Sequence, residues 1–188
     1  MKTTLIVSAH PSRAGFTHQA VARIEEIKTK AGHKVEVVDL YTDAPLSFLR
    51  FEDKGQISAN ESVLAYQAQV ARADEILFVF PCWWGDTPSV MRNWFDHVFA
   101  KGFAFKYAKR RPVGLLHGKK CFVIMTTGTP AFIYRLTGIT RAMRRIWSTT
   151  RIKFCGMHLR GFLVIGGMDT RTRDEAAALA RIEKLVQS

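Results

Sequence analysis

Ile76 to Pro88 reads ILFVFPCWWGDTP: an uninterrupted apolar run passes directly into a loop of proline, cysteine, paired tryptophans and glycine. A run that short, apolar at every position and bounded by turn residues, is the pattern of a strand covered by helices on both faces, as in parallel sheets. Two further runs share the form. Leu5-Ile6-Val7 breaks into the loop Ser8 to Thr17, and Phe122 to Met125 breaks into Thr126-Thr127-Gly128-Thr129-Pro130. Each loop opens a helical pattern. If the runs are parallel strands, all three loops lie on one rim of the sheet, where open α/β folds bind their ligands.

Working outward, Phe16, Ala20, Ile24, Ile27 and Ala31 recur at helical spacing up to Gly32, and a second strand, Val35 to Leu40, follows. Thr3 to Leu40 therefore reads as strand, helix, strand, a parallel crossover. Tyr41 to Ile57 has little periodicity and is a long connection, functional or part of an interface. Ser58-Ala59-Asn60-Glu61 has reciprocal capping form and predicts a helix to about Ala73. Thr87 before Pro88 predicts another helix start, with Val90, Met91, Trp94, Phe95, Val98 and Phe99 as its buried stripe. The aromatic and basic segment Gly102 to Gly118 predicts a loop or short strand that covers something.

A fourth strand, Cys121 to Met125, leads to one expected helix carrying Leu136, Ile139, Met143, Ile146 and Trp147. A fifth strand around Phe162 to Ile165 ends in Gly166-Gly167. Thr172 to Glu175 has capping-box form, and Leu179, Ile182 and Val186 line the last helix. The expected fold is α/β: one domain over residues 1–188, five parallel strands in the order 2-1-3-4-5, and helices on both faces. In that order the winding reverses between strands 1 and 3, and a crevice opens there.

Composition sets the class. The chain has 188 residues, 47% of them hydrophobic, enough for one continuous core. The apolar run at the N-terminus is too short for a signal peptide, and no stretch approaches bilayer length, so a soluble, cytoplasmic protein is expected. Cys82, Cys121 and Cys155 are odd in number and widely spaced, which argues against a disulfide framework or a zinc site, and no metal ligands are assigned. The formal charge is +12, much of it between Arg135 and Lys153. Such a surface attracts phosphates, nucleic acid or anionic lipid. No nucleic-acid-binding motif accompanies it, and no Walker phosphate loop is present.

The three loops suggest one ligand. Ala9 to Thr17 offers hydroxyls, Arg13, His10 and a helix N-terminus whose unpaired N–H groups favour an anion. Pro81-Cys82-Trp83-Trp84-Gly85 places flat rings and backbone amides at the rim, where a planar aromatic group could lie. Thr126-Thr127-Gly128-Thr129 adds hydroxyls and a glycine that permits close backbone approach. Each has a bland reading as a turn, a cap or core packing. Together they describe a ligand with a phosphate tail and a flat polar ring, a flavin nucleotide.

The chain also resembles the flavodoxin-like NAD(P)H:quinone oxidoreductases, the group that includes the mammalian quinone reductases and the bacterial ancillary flavoproteins of potassium-efflux systems. The resemblance runs from Leu5 to about Gly156. It rests on Ala9-His10-Pro11 with Phe16, Asp39-Leu40-Tyr41, Phe80-Pro81 through Trp84, and Pro88 with Trp94-Phe95 and Val98-Phe99. Gly102-Phe103-Ala104-Phe105, Thr126-Thr127-Gly128 and Phe154-Cys155-Gly156 complete it. It implies that His10, Phe16 and Thr17 hold the phosphate or ribityl part. Pro81, Cys82, Trp83, Trp84 and Gly85 would contact the isoalloxazine, and Thr126, Thr127, Gly128 and Thr129 its far edge. Tyr134 matches the family's active-site tyrosine, and Phe103 and Phe105 match a substrate-pocket segment often supplied by the second subunit of a dimer. Gly15, Thr17 and Thr140 depart from the usual serine, asparagine and histidine.

The expected activity is two-electron transfer from NAD(P)H through bound flavin to a quinone or similar acceptor by a ping-pong mechanism. FMN is the expected cofactor, with FAD as the alternative. Backbone N–H groups of Trp84 and Gly85 would stabilise charge on the reduced ring, and Tyr134 would donate to the quinone oxygen. A homodimer is expected. The alternative is a regulatory flavoprotein with little turnover that binds a transporter or the inner membrane surface through Arg135 to Lys153, where Trp147 lies beside Arg144 and Arg145.

Overall fold

The computed structural model describes residues 1–43, 46–49, 60–169 and 173–187. Its elements are β1 (Thr3–Ser8), α1 (Phe16–Lys30), β2 (Lys34–Asp39), α2 (Glu61–Arg72), β3 (Glu75–Pro81), α3 (Ser89–Val98), β4 (Phe105–Ala108), β5 (Arg111–Gly114), β6 (Lys120–Thr126), α4 (Ala131–Leu136), α5 (Ile139–Ile146), β7 (His158–Ile165) and α6 (Glu175–Val186). β2, β1, β3, β6 and β7 form a parallel sheet in that order. This is the expected 2-1-3-4-5 winding, which reverses beside β1 and β3.

β3 is buried at every position, because alternate side chains serve two cores. Ile76, Phe78 and Phe80 join Val70, Met91, Trp94, Met143 and Trp147 on one face. Leu77 and Val79 join Ala20, Ile24 and Ile182 of α1 and α6 on the other. Glu75 opens this strand buried, and Lys28 of α1 matches it with an Nζ to Oε2 distance of 2.6 Å. Such a pair tolerates burial only while both partners remain.

Both predicted capping boxes sit two residues off. Asn60 accepts the Val63 N–H at 3.1 Å, and Asp174 accepts the Ala177 N–H at 2.9 Å, so these short side chains are the N-caps. Ser58 and Thr172, the expected caps, lie outside the described residues, as do positions 44, 45 and 50–57 of the long connection. Pro88, not Thr87, occupies the N-cap position of α3, because the Thr87 N–H is held by Asp86 Oδ1 at 2.7 Å.

Residues 105–114 form an antiparallel hairpin, β4–β5. Its turn residues, Lys109 and Arg110, have φ of 49° and 64°. Two left-handed residues make the hairpin turn usually written Asn-Gly, so the sequence carried no hairpin signal.

The single helix expected across Leu136 to Trp147 is broken. Gly138, at φ 77°, ends α4 and starts α5 in a new direction. Leu136 and Ile146, expected inside, are exposed, whereas Met143 and Trp147 are buried. α5 then widens into one π-helical turn, Trp147–Ile152. Carbonyls near the widening accept side-chain hydroxyls: Thr149 Oγ1 donates to Arg145 O at 2.6 Å and Thr150 Oγ1 to Ile146 O at 2.7 Å. The widened turn carries both Trp147 and Arg151 inward. Trp147 stacks on Phe80 with ring centres 5.2 Å apart.

Candidate functional site

The three loops meet. Cys82 N donates to Thr126 O at 2.7 Å, joining the ends of β3 and β6. Ala9 N donates to Val79 O at 3.1 Å, and the rings of His10 and Trp83 lie 6.4 Å apart. Tyr134, on the helix after β6, faces the Cys82 thiol. The predicted site residues of these three loops and Tyr134 therefore share one rim.

At the first loop, α1 begins with Gly15 as an N-cap that supplies no side chain, and no acidic residue stands in the first turn. The Phe16 and Thr17 amides of this turn are left for an external acceptor, while His18 N donates to Gly15 O at 3.0 Å. The Phe16 side chain points into the α1 and α6 core, and Thr17 is buried. These two residues can therefore hold an anion mainly through their backbone. His10 Nδ1 accepts the Ser12 N–H at 3.0 Å, which folds the loop back. A Cβ on Gly15 would lie 3.1 Å from His10 Cε1, so the glycine leaves room for that ring. His18 was missed from the sequence. Its Nε2 is 3.9 Å from Asp39 Oδ2, and its ring meets His10 edge-on. Only the β1–β2 pairing brings Asp39 there.

The second loop is a tight turn. Trp83 N donates to Asp86 O at 3.0 Å and Asp86 N to Trp83 O at 2.9 Å, around Trp84 at φ 54° and Gly85 at φ 75°. A bulky residue in the left-handed region stores strain. It also turns Trp84 wholly into solvent, at 104% relative exposure. The Gly85 amide lies near the Cys82 sulfur. Burial raises the Cys82 thiol pKa, and the Tyr134 hydroxyl and Gly85 amide oppose the rise. Burial, then the Cys82 neighbour, raises the Tyr134 phenol, which stays protonated as a donor.

Arg151 anchors this turn and was also missed. Its Nη2 donates to Asp86 Oδ1 at 3.1 Å, and its guanidinium lies 4.8 Å over the Trp147 ring. Burial pushes the Asp86 carboxyl upward, but the Thr87 amide and Arg151 outweigh it and hold the group below its ordinary value. The sequence offered Arg151 only as one charge of the basic segment Arg135 to Lys153. The π-helical turn makes it a buried strut.

At the third loop, Thr126 and Thr127 are buried, and Thr127 Oγ1 donates to Thr129 O. A Cβ on Gly128 would fall 1.9 Å from Asp169 Oδ2. The close approach expected at this glycine is thus made by the chain's own carboxylate. The loop is tied to β7 by Thr127 N to Ile165 O at 2.9 Å. Thr140, at the position of the resembling family's histidine, has a buried hydroxyl without a partner among the described residues.

Phe103 and Phe105 are not brought to the rim. Phe103 packs partly buried against the core. Phe105 lies 4.9 Å from the Phe154 ring, lining a cleft of about 230 Å³ with Phe95, Phe99 and Arg151.

This rim matches a flavin nucleotide in its donor set: bare amides at a helix start, an exposed flat ring, and a phenol beside them. A family model described as a flavodoxin-like fold matches residues 2–187. The chain belongs to this flavodoxin-like family. An uncharacterized NAD(P)H oxidoreductase of Haemophilus influenzae is 29% identical over 189 residues, spanning 97% of this chain and 92% of that protein. NAD(P)H dehydrogenase (quinone) 1 of Cavia porcellus is 31% identical over 183 residues, but the match spans only 66% of its length and 85% of this chain. An FMN-dependent NADH:quinone oxidoreductase 2 of Clostridium perfringens is 34% identical over 113 residues, 56% of this chain and 57% of that one. Among solved structures, an NAD(P)H:quinone oxidoreductase from Methanothermobacter marburgensis superposes with a TM-score of 0.85 at 28% identity, over 99% of this chain and 96% of that one.

Proposed function

We propose that this flavodoxin-like protein is an NAD(P)H oxidoreductase that uses FMN to reduce quinones or related acceptors, working as a single domain over residues 1–188. The observation that carries the reading is the convergence of the loops after β1, β3 and β6 at the reversal point of the sheet. A bound flavin would supply the redox chemistry, two-electron transfer between NAD(P)H and the acceptor.

The chain supplies grip and orientation. The amides at Phe16 and Thr17, with His10 behind Gly15, hold the phosphate end. Pro81 to Gly85, with Trp83 and the exposed Trp84, give the ring its flat wall. The backbone of Thr126 to Thr129 borders the ring's far edge. Tyr134, kept protonated by burial and Cys82, donates a hydrogen bond to the acceptor oxygen and so assists charge development there. Thr140 has no ring nitrogen to relay a proton, so this phenol works without an imidazole partner.

A homodimer completes the substrate pocket. Phe103 and Phe105 stand away from the rim of their own chain, which suits a wall lent to a second copy. The protein works in the cytoplasm: no helix among the described residues is long and apolar enough to cross a membrane. Contact with the anionic inner membrane face uses the basic segment from Arg135, narrowed because Arg151 and Trp147 are buried.

The test is the absorbance spectrum of the purified protein, with release and sizing of the chromophore. A yellow protein that yields FMN, bleaches with NADPH or NADH and recovers with a quinone is the expected result. Protein that stays colourless and inert when supplied with FMN would refute it.

A further inference from the structure

α4 is a helix of six residues, none of them buried. Phe132 and Leu136, four positions apart and so on one face, are 61% and 80% exposed, and Ile133 beside them is 37% exposed. Apolar side chains of this size normally find cover, and a contiguous exposed group marks a docking surface. Exposed arginines follow it along the chain: Arg135 on α4, then Arg141, Arg144 and Arg145 on the contacting helix α5. None of the four has an ion-pair partner among the described residues.

The charge decides between occupants. A second copy seated on this face about a two-fold axis would set each arginine group against its own equivalent, at a repulsive cost. An acidic protein would answer the charge, yet nothing in it need answer Phe132, Ile133 and Leu136. An anionic bilayer answers both, because its headgroups take the guanidinium groups and its acyl boundary takes the apolar ridge.

We infer that this ridge seats the protein on an anionic lipid surface and that the acceptor is a quinone dissolved in that lipid. This rests on the reductase reading and specifies where its substrate comes from. On a helix of 3.6 residues per turn, Tyr134 lies about 200° around from Phe132. It packs partly buried toward the core and Cys82. One short helix thus turns Phe132 and Leu136 to the bilayer and Tyr134 to the crevice, and a quinone leaving the lipid along it meets the phenol.

The flavin-loaded protein is sedimented with vesicles of phosphatidylglycerol and of phosphatidylcholine. The expected result is binding to the first and not the second, collapsing at high salt as screening removes the attraction. Each Arg→Gln change at 141, 144 or 145 should weaken binding about fivefold, equivalent to about 1 kcal/mol per charge. The double change Phe132→Ser with Leu136→Ser should weaken it further. It should slow reduction of a long-tailed quinone carried in the vesicles while leaving a short-chain water-soluble quinone reduced at the normal rate. Equal binding to both vesicles, or binding indifferent to the serine changes, overturns the proposal. So does concentration-dependent self-association abolished by those changes, or equal affinity for polyglutamate. The water-soluble quinone reads catalysis separately: no turnover of it, with vesicle binding intact, defeats the reductase reading and leaves the docking surface standing.

Discussion

Replacing Arg151 with methionine should loosen the turn that carries Trp84 without opening the core. Methionine keeps much of the apolar stem against Trp147 and Phe95 and removes the guanidinium. The lost hydrogen bond to a charged carboxylate is worth about 1.5–3 kcal/mol when fully desolvated. The Asp86 side chain is 52% exposed, so water replaces part of that. The lost stacking over Trp147 adds about 0.5–1 kcal/mol. A net loss of about 2 kcal/mol is expected, which at a urea slope of about 2 kcal/mol/M lowers the midpoint by about 1 M. Fluorescence of the buried Trp94 and Trp147 follows the unfolding. The Asp86 carboxyl has its pKa lowered in the fold. Its contribution is therefore complete above the ordinary carboxylate value of about 4 and is lost as pH falls through the lowered one. The gap between wild type and Arg151→Met should accordingly shrink in strong acid. FMN affinity should fall as well, and Arg151→Lys should restore part of both. An unchanged midpoint at neutral pH, or a gap that persists undiminished in strong acid, would show that Arg151 is not a strut for this turn.

Trp84→Gly should stabilise the fold by about 1 kcal/mol, since it relieves a left-handed tryptophan that nothing covers. FMN should bind about tenfold more weakly for want of a ring to lie against; thermal melting and flavin titration read the two. Gly166→Ala puts a Cβ 2.1 Å from Ala131 N and 2.7 Å from Thr129 O. Backbone cannot yield there as a side chain can, so a loss of about 3 kcal/mol is expected by urea denaturation. Tyr134→Phe should leave FMN bound and lower kcat for quinone about tenfold or more. Because the phenol's pKa is raised, the wild-type rate should show no loss of this donor below about pH 10. Glu75→Gln should cost about 3 kcal/mol by stranding the Lys28 charge, with activity at low denaturant retained.

What the sequence determined by itself was the frame. Ile76 to Phe80 and Cys121 to Met125 are apolar at every position because helices cover both faces, and that local signal fixes parallel strands and the rim where their loops meet. The aromatic loop and the threonine loop were legible for the same reason, since each directly follows such a run, whereas Tyr134 was reached only through the family resemblance. Tertiary structure decided the rest. No residue type announces a π-helical turn, so Arg151, legible only as one charge of a basic segment, proved a buried partner of Asp86, 65 positions away. Gly138 could have been tolerated within a helix, and only packing set it left-handed, turning Leu136 out and Trp147 in. His18 and Asp39 meet because β1 and β2 lie side by side. Periodicity reports which face of an element is apolar, but contacts between distant elements depend on how those faces stack, and a single left-handed residue or widened turn redirects them.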